Sequence, residues 1–152
     1  MKADYFLSRI KLYDVVIDQR LKEREDLKEL STCIGSFDYS KDRVQTSSEN
    51  DASYVTAIER IMELEEAIDH LIDEYVDFKD NAISMIHELD NAKYVQLLFE
   101  RYVEYKSLAK IGDRINRSNR QVYRLIQKAL TEFQVVLDRK IPKNVEKFEK
   151  CP

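Results

Sequence analysis

The chain has 152 residues, of which 36% are charged and only two are glycine and two proline. This length allows one domain, or one small domain with an extension, and the composition favours long helices over sheet. No apolar run approaches the length of a membrane span, and the N-terminal residues are too polar for a signal peptide, so we expect a cytoplasmic protein. Cys33 and Cys151 lie far apart, and we expect free thiols.

Charge is distributed unevenly along the chain. Residues 1–100 contain 12 Lys and Arg and 23 Asp and Glu, a net charge of −11. Residues 101–152 contain 13 Lys and Arg and 6 Asp and Glu, a net charge of +7. Phosphate attracts the second part and repels the first, so we expect only the C-terminal third to meet nucleic acid.

A long helix is predicted first, followed by a loop. In residues 3–31, apolar side chains from Phe6 to Leu21 recur at steps of three and four, which is the spacing of one helix face. Residues 32–52 lose this pattern and are rich in Ser, Thr, Asn and Asp. They predict a loop that is mobile, docks on the helices or contacts a partner.

The most regular pattern lies in residues 53–89, where apolar or aromatic residues alternate steps of three and four. This is the a/d seam of a coiled coil, and a lone helix cannot bury it. We expect the first helix as an antiparallel partner, a second copy of the chain, or both. Ile58, Ile72 and Ile86 widen the stripe and favour a hairpin that also forms a homodimer through 53–89. The seam consists of Tyr54, Ala57, Ile61, Leu64, Ile68, Leu71, Tyr75, Phe78, Ala82, Met85 and Leu89.

A three-helix unit is predicted after this seam. Asp90 is the expected N-cap of a helix over residues 91–102. Two short helices follow in residues 107–130, joined by a turn at Asn116, a residue type that tolerates the left-handed conformation. Ser118 and Gln121 have the spacing of a capping box at the start of the second helix. A helix, a turn and a capped helix with a basic outer face are typical of helix-turn-helix DNA-binding units.

The cations of this segment favour nucleic-acid binding. From Lys106 to Lys128 there are seven Lys and Arg and one acid, Asp113, whereas a solvated helix face normally mixes both signs. Arg reads guanine and Asn reads adenine, while phosphate contacts fix the register. We predict contacts with DNA bases from Asn119, Arg120, Tyr123, Arg124 and Gln127. We predict contacts with DNA phosphates from Lys106, Lys110, Arg114, Arg117, Ser118 and Lys128.

The segment RYVEYKSLAKIGDRINRSNRQVYRLIQKAL, residues 101–130, resembles region 4 of the bacterial sigma-70 factors. The chain as a whole resembles small regulators encoded by phages and prophages of Gram-positive bacteria, the RinA- and ArpU-like late-gene regulators. The resemblance covers residues 90–102, 107–115 and 118–124, and the polar segment DRVQTSS at 42–48.

The sequence departs from this pattern at two positions, Gly112, where Ala is usual, and Asn116, where Gly is usual. The small Gly112 keeps close packing but weakens the helix. The resemblance implies transcriptional control of phage genes through binding of double-stranded DNA, with RNA polymerase as a further partner.

These patterns predict an all-α chain in three parts. The parts are a helical hairpin or coiled coil over 1–89, a sigma region 4-like helix-turn-helix over 90–137 and a basic tail over 138–152. We expect a sequence-preferring transcriptional regulator and no enzyme, because the sequence has no Gly-rich phosphate loop, metal-ligand spacing or nucleophile–His arrangement. We expect no cofactor and no metal, and surface positions for His70 and His87. Two alternatives remain, a DNA-packaging component like a phage small terminase subunit and a protein-interaction adaptor without DNA binding.

Overall fold

The structure is a computed structural model that describes residues 1–34 and 49–140, with side chains over 1–31 and 55–140. Every regular element in these residues is helical, which confirms the predicted all-α class. Among the described helices, none combines the length and the apolar character that a membrane span requires. The elements are α1 (Ala3–Ile34), α2 (Glu49–His87), α3 (Ala92–Leu98), a π-helical segment (Phe99–Val103), α4 (Leu108–Ile115) and α5 (Asn119–Lys140).

The two long helices extend into the predicted loop. Helix α1 continues to Ile34 rather than ending at residue 31, and α2 begins at Glu49 rather than at residue 53. Helix α2 ends at His87, two residues before the predicted end. The rest of the predicted loop, residues 35–48, lies outside the described residues, and so does the predicted basic tail beyond Lys140.

The chain divides into two compact units, and both long helices pass from one to the other. The first unit comprises Met1–Leu12 and Tyr75–Pro152, and the second unit comprises Tyr13–Glu74. The predicted boundary at residue 89 differs from this division. The three-part organisation and the hairpin-plus-three-helix arrangement stay predictions.

The predicted seam of α2 faces inward in both units. Its ten members with described side chains are all buried or partly buried. In the first unit these include Phe78 and Ala82, and in the second unit Ile61 and Ile68. The flanking positions differ from one another, because Ile86 is fully buried whereas Ile58 and Ile72 are each 37% exposed.

Three aromatic rings form the centre of the first unit. The Phe6 ring lies 5.0 Å from Phe78 and 6.1 Å from Phe133, measured between centroids. Phe6 and Phe133 have almost no exposed surface. Because the three rings come from α1, α2 and α5, their packing holds the start of α1 against the other two helices of this unit.

Polar contacts also fix the first residues of the chain in this unit. The Tyr102 hydroxyl is hydrogen-bonded to the Asp4 carboxylate. Burial raises the pKa of Tyr102 well above its usual value, and the bond to Asp4 raises it further. The Ala3 backbone N–H donates to Gln134 Oε1 at 2.7 Å. The N-terminal end of α1 is therefore tied to the helices that follow α2.

The predicted third helix is shorter than expected and has a different cap. Asn91, not Asp90, is the N-cap, since its side chain accepts from the Lys93 backbone N–H at 3.0 Å. Both residue types cap well, and α2 ends early enough to leave Asn91 extended. The regular helix stops at Leu98 and continues as the π-helical segment, in which the Glu104 N–H donates to the Phe99 carbonyl at 3.1 Å.

Candidate nucleic-acid interface

Helices α4 and α5 are joined by a turn of three residues, Asn116, Arg117 and Ser118. Asn116 closes α4 in the left-handed conformation, with φ 52° and ψ 51°, as its residue type predicted. The Arg117 N–H donates to the Gly112 carbonyl at 2.9 Å. A Cβ atom on Gly112 would lie 2.5 Å from the Arg117 carbonyl oxygen, so the turn closes on a position that only glycine fits without a shift.

The predicted capping box at the start of α5 is confirmed. The Ser118 N–H donates to Gln121 Oε1 at 3.2 Å, and the Gln121 N–H donates to Ser118 Oγ at 3.4 Å. At the start of α4, Ser107 Oγ accepts from the Lys110 N–H at 3.3 Å. Both helices therefore begin at side-chain caps, which satisfy backbone donors that the helix itself leaves without a partner.

The inner faces of these helices are apolar and buried, as predicted. Ile111 and Val122 have no exposed surface, and Ile126 is 3% exposed. Helix α5 contacts both α3 and α4, and α4 also contacts the π-helical segment. The burial of one side of α5 fixes which side faces solvent, because side chains on one helix turn point in set directions.

The outer face of α5 brings together all the residues predicted to contact bases. Asn119, Arg120, Tyr123, Arg124 and Gln127 are all exposed. Tyr123 is 54% exposed, so its ring is open to contact. Arg120 and Arg124 lie one helix turn apart, and neither has an ion-pair partner among the described residues. The face therefore offers unneutralised cations, amides and one aromatic ring.

The residues predicted to contact phosphate fall into two groups. Lys110, Arg117 and Lys128 are exposed and have no ion-pair partner within the described part of the chain, and Ser118 is exposed beside them in the capping box. Lys106 and Arg114, in contrast, are paired with carboxylates of the first unit. The Lys106 ammonium lies 2.7 Å from Glu104, and this bond raises the pKa of Lys106.

Glu100 is the residue of this candidate interface that the sequence patterns missed. Its side chain is 6% exposed, and it lies in the π-helical segment. One of its oxygens is 2.8 Å from Arg114 Nε, and Gln96 Nε2 donates to it at 3.2 Å. The sequence interval from Lys106 to Lys128 holds one acid, but the fold adds Glu100 to this set of cations from outside the interval.

The described residues contain no group of three or more His, Cys, Asp and Glu that could hold a metal ion. His70 is exposed, as predicted, with its Nδ1 3.4 Å from Glu74. A comparison of the chain with protein-family models, curated proteins and solved structures found no match. The resemblance to sigma region 4 and to phage regulators therefore stays a prediction.

Proposed function

We propose that the chain is a sequence-preferring DNA-binding transcriptional regulator, of the phage-encoded kind that its sequence resembles. The observation that supports this proposal is the exposed face of α5. That face carries Arg120, Arg124 and Lys128 with no acidic residue before Glu132, and the opposite face is buried. Exposed unpaired cations on a rigid, capped helix match the needs of DNA recognition.

In the proposed complex, α5 enters the major groove of double-stranded DNA, which is wide enough to admit one helix. Arg120 and Arg124 donate paired hydrogen bonds to guanine, and Asn119 pairs with adenine. Tyr123 and Gln127 contact neighbouring base edges. Phosphate contacts from Lys110, Arg117, Ser118 and Lys128 fix the register of the helix without reading the sequence.

The second unit has the role of partner binding in this proposal. On α2, Val55 is 52% and Met62 64% exposed, and Ile58 and Ile72 lie on the same helix with partial exposure. A second copy of the chain would cover these side chains in a homodimer through 53–89. Such a regulator acts in the cytoplasm of its bacterial host, and the resemblance to sigma region 4 makes RNA polymerase the further partner to test.

A genome-wide DNA pull-down with the purified chain, with its solution mass recorded alongside, tests the proposal. We expect one short site upstream of a gene block, bound by a monomer or dimer. A ring-sized mass without a preferred site would favour DNA packaging instead. If no duplex is retained even at low salt, the chain is not a DNA-binding protein.

Two substitutions then separate base contacts from phosphate contacts. Arg120→Ala should weaken binding to the recovered site by about 1–3 kcal/mol and relax its specificity, because a bidentate base contact is lost. Lys110→Ala should weaken binding to every duplex by the same factor, and about one fewer counterion should be released on binding. Lys22→Ala, at an exposed lysine of the second unit, is the control and should change neither quantity. A sequence-selective loss in Lys110→Ala would contradict its assignment.

A further inference from the structure

Glu100 is the only buried carboxylate among the residues whose side chains the structure describes. Buried carboxylates are rare in proteins because removing the charge from water is unfavourable unless partners compensate for it. Glu100 has such partners in Arg114 and Gln96, with the Lys106 ammonium at 3.8 Å. Two of these three partners, Arg114 and Lys106, are cations of the proposed DNA interface.

The bond between Glu100 and Arg114 uses one specific nitrogen. Arg114 Nε lies 2.8 Å from Oε1 and 3.0 Å from Oε2 of Glu100. A guanidinium has five N–H donors, of which only one is on Nε. The other four are on the two Nη nitrogens, and no hydrogen bond from either Nη is found within the described part of the chain. Arg114 is 37% exposed, so solvent reaches its side chain.

Glu100 therefore holds the Nε edge of the Arg114 guanidinium, while the Nη edge is available to bind a ligand. The long arginine side chain has many rotamers, and fixing one of them before binding removes an ordering cost from the complex. Paired Nη donors match the oxygens of a phosphate group. Arg114 also lies two residues before Asn116, at the end of the helix that precedes α5.

We propose that Glu100 is a positioning residue of the DNA interface, which holds Arg114 by Nε so that its Nη nitrogens bind a backbone phosphate. This inference rests on the proposed function. Glu100 itself touches no DNA and acts only through Arg114. The exposed pair of Lys106 with Glu104, at 2.7 Å, is the matched contrast, because an exposed ion pair orders its cation far less.

Electrostatics and positioning predict opposite signs for Glu100→Gln. The substitution removes one negative charge close to DNA, so charge alone predicts tighter binding. If Glu100 positions Arg114, binding weakens instead, because glutamine bonds the guanidinium less strongly and the rotamer is released. Glu104→Gln also removes one negative charge but leaves Arg114 in place. It should leave binding unchanged or tighten it.

The experiment measures the Kd of the full chain by fluorescence anisotropy, with the duplex recovered in the pull-down. The proteins are the wild type, Glu100→Gln, Arg114→Ala, the double variant and Glu104→Gln. We expect Glu100→Gln and Arg114→Ala each to weaken binding by about tenfold. Arg114→Ala should add less than about twofold when Glu100 is already glutamine. Equal or tighter binding by Glu100→Gln, or an undiminished effect of Arg114→Ala in the double variant, would overturn the proposal.

Arg114→Lys keeps the inference testable even if Glu100→Gln fails to fold. Lysine retains the positive charge but has no second edge that could bind phosphate while the first binds Glu100. We expect Arg114→Lys to bind as weakly as Arg114→Ala, and wild-type affinity in this variant would overturn the inference. Circular dichroism at the same salt checks that each variant is folded.

If the wild type binds and Arg120→Ala weakens that binding while Glu100→Gln does not, only the positioning role fails. If the wild type binds no duplex, the proposed function itself fails.

Discussion

The first unit and the second unit differ in how completely they bury their apolar side chains. The largest fully buried side chains all belong to the first unit, among them Phe6, Leu98 and Phe133. Among the described residues of the second unit, the most buried apolar side chain is Ile68, with 3% exposed, and Leu64 retains 9%. The fully buried apolar side chains and the proposed interface therefore occur in the same unit.

Charge separates the two units in the same way. The sequence of the second unit contains 7 Lys and Arg and 17 Asp and Glu, a net charge of −10, which leaves +6 for the first unit. A binding face needs side chains held by a rigid scaffold, and 18 of the 25 Lys and Arg belong to the unit with the more fully buried core. The acidic unit, which phosphate repels, has the looser core and the partly exposed face of α2.

The same substitution in each unit tests this difference in packing. Leu98→Ala removes a side chain with no exposed surface, and we expect it to lower the free energy of unfolding by about 3–5 kcal/mol. Leu64→Ala in the second unit should lower it by about 2–3 kcal/mol, because solvent already reaches that site. Urea denaturation followed by circular dichroism measures both values. An equal or larger loss in Leu64→Ala would contradict the comparison.

Gly112→Ala tests how tightly the first unit closes around the turn. Helix propensity alone predicts that alanine stabilises α4 by about 1 kcal/mol. The contact with the Arg117 carbonyl predicts a loss of about 1–3 kcal/mol, because the backbone must shift to admit Cβ. The sign of the change in unfolding free energy decides between them. Ala109→Gly, at an exposed position of the same helix, is the control and should lose about 1 kcal/mol.

Tyr102→Phe tests the tie between the start of α1 and the rest of the first unit. Loss of the bond to Asp4 should lower the free energy of unfolding by about 1–2 kcal/mol at neutral pH. Because the pKa of Tyr102 is raised in the folded state, its contribution is complete below the unfolded pKa of 10.0 and is lost as pH rises above it. The stability gap between wild type and Tyr102→Phe should therefore narrow at alkaline pH.

Urea titrations on either side of pH 10.0 measure this gap. Tyr5→Phe, at a tyrosine of the first unit that is more than half exposed, provides the control for the loss of a phenol hydroxyl. A gap that widens with pH would show that Tyr102 is not the group responsible.

The sequence patterns correctly predicted the features whose stability depends on residues close together in the chain. The seam of α2, the left-handed Asn116 and the capping box of Ser118 and Gln121 each depend on residues within one or two helix turns. The exposed outer face of α5 follows from the same periodicity. These predictions were correct because the interactions that decide them lie within the window that the pattern covers.

The sequence patterns missed features that are decided by tertiary contacts, or by which of two equally suitable neighbouring residues takes a role. Asp90 and Asn91 are both good caps, and the end of α2 decides between them. The π-helical segment at Phe99–Val103 has no period of its own in the sequence. Glu100 would be assigned to the surface by its residue type, and its burial is favourable only because partners such as Arg114, fourteen residues later in the chain, compensate for it.

Helix α5 runs without interruption from Asn119 to Lys140, and 22 residues at 1.5 Å each give a rod of about 33 Å. Its second half is fixed by the buried Phe133 and Leu137 and its first half by the buried Val122, so the exposed face of the first half is already ordered before any ligand arrives. Association through this face does not have to fold a segment of chain. Calorimetry should therefore show a heat-capacity change that reflects the buried contact surface alone, without the larger contribution of coupled folding.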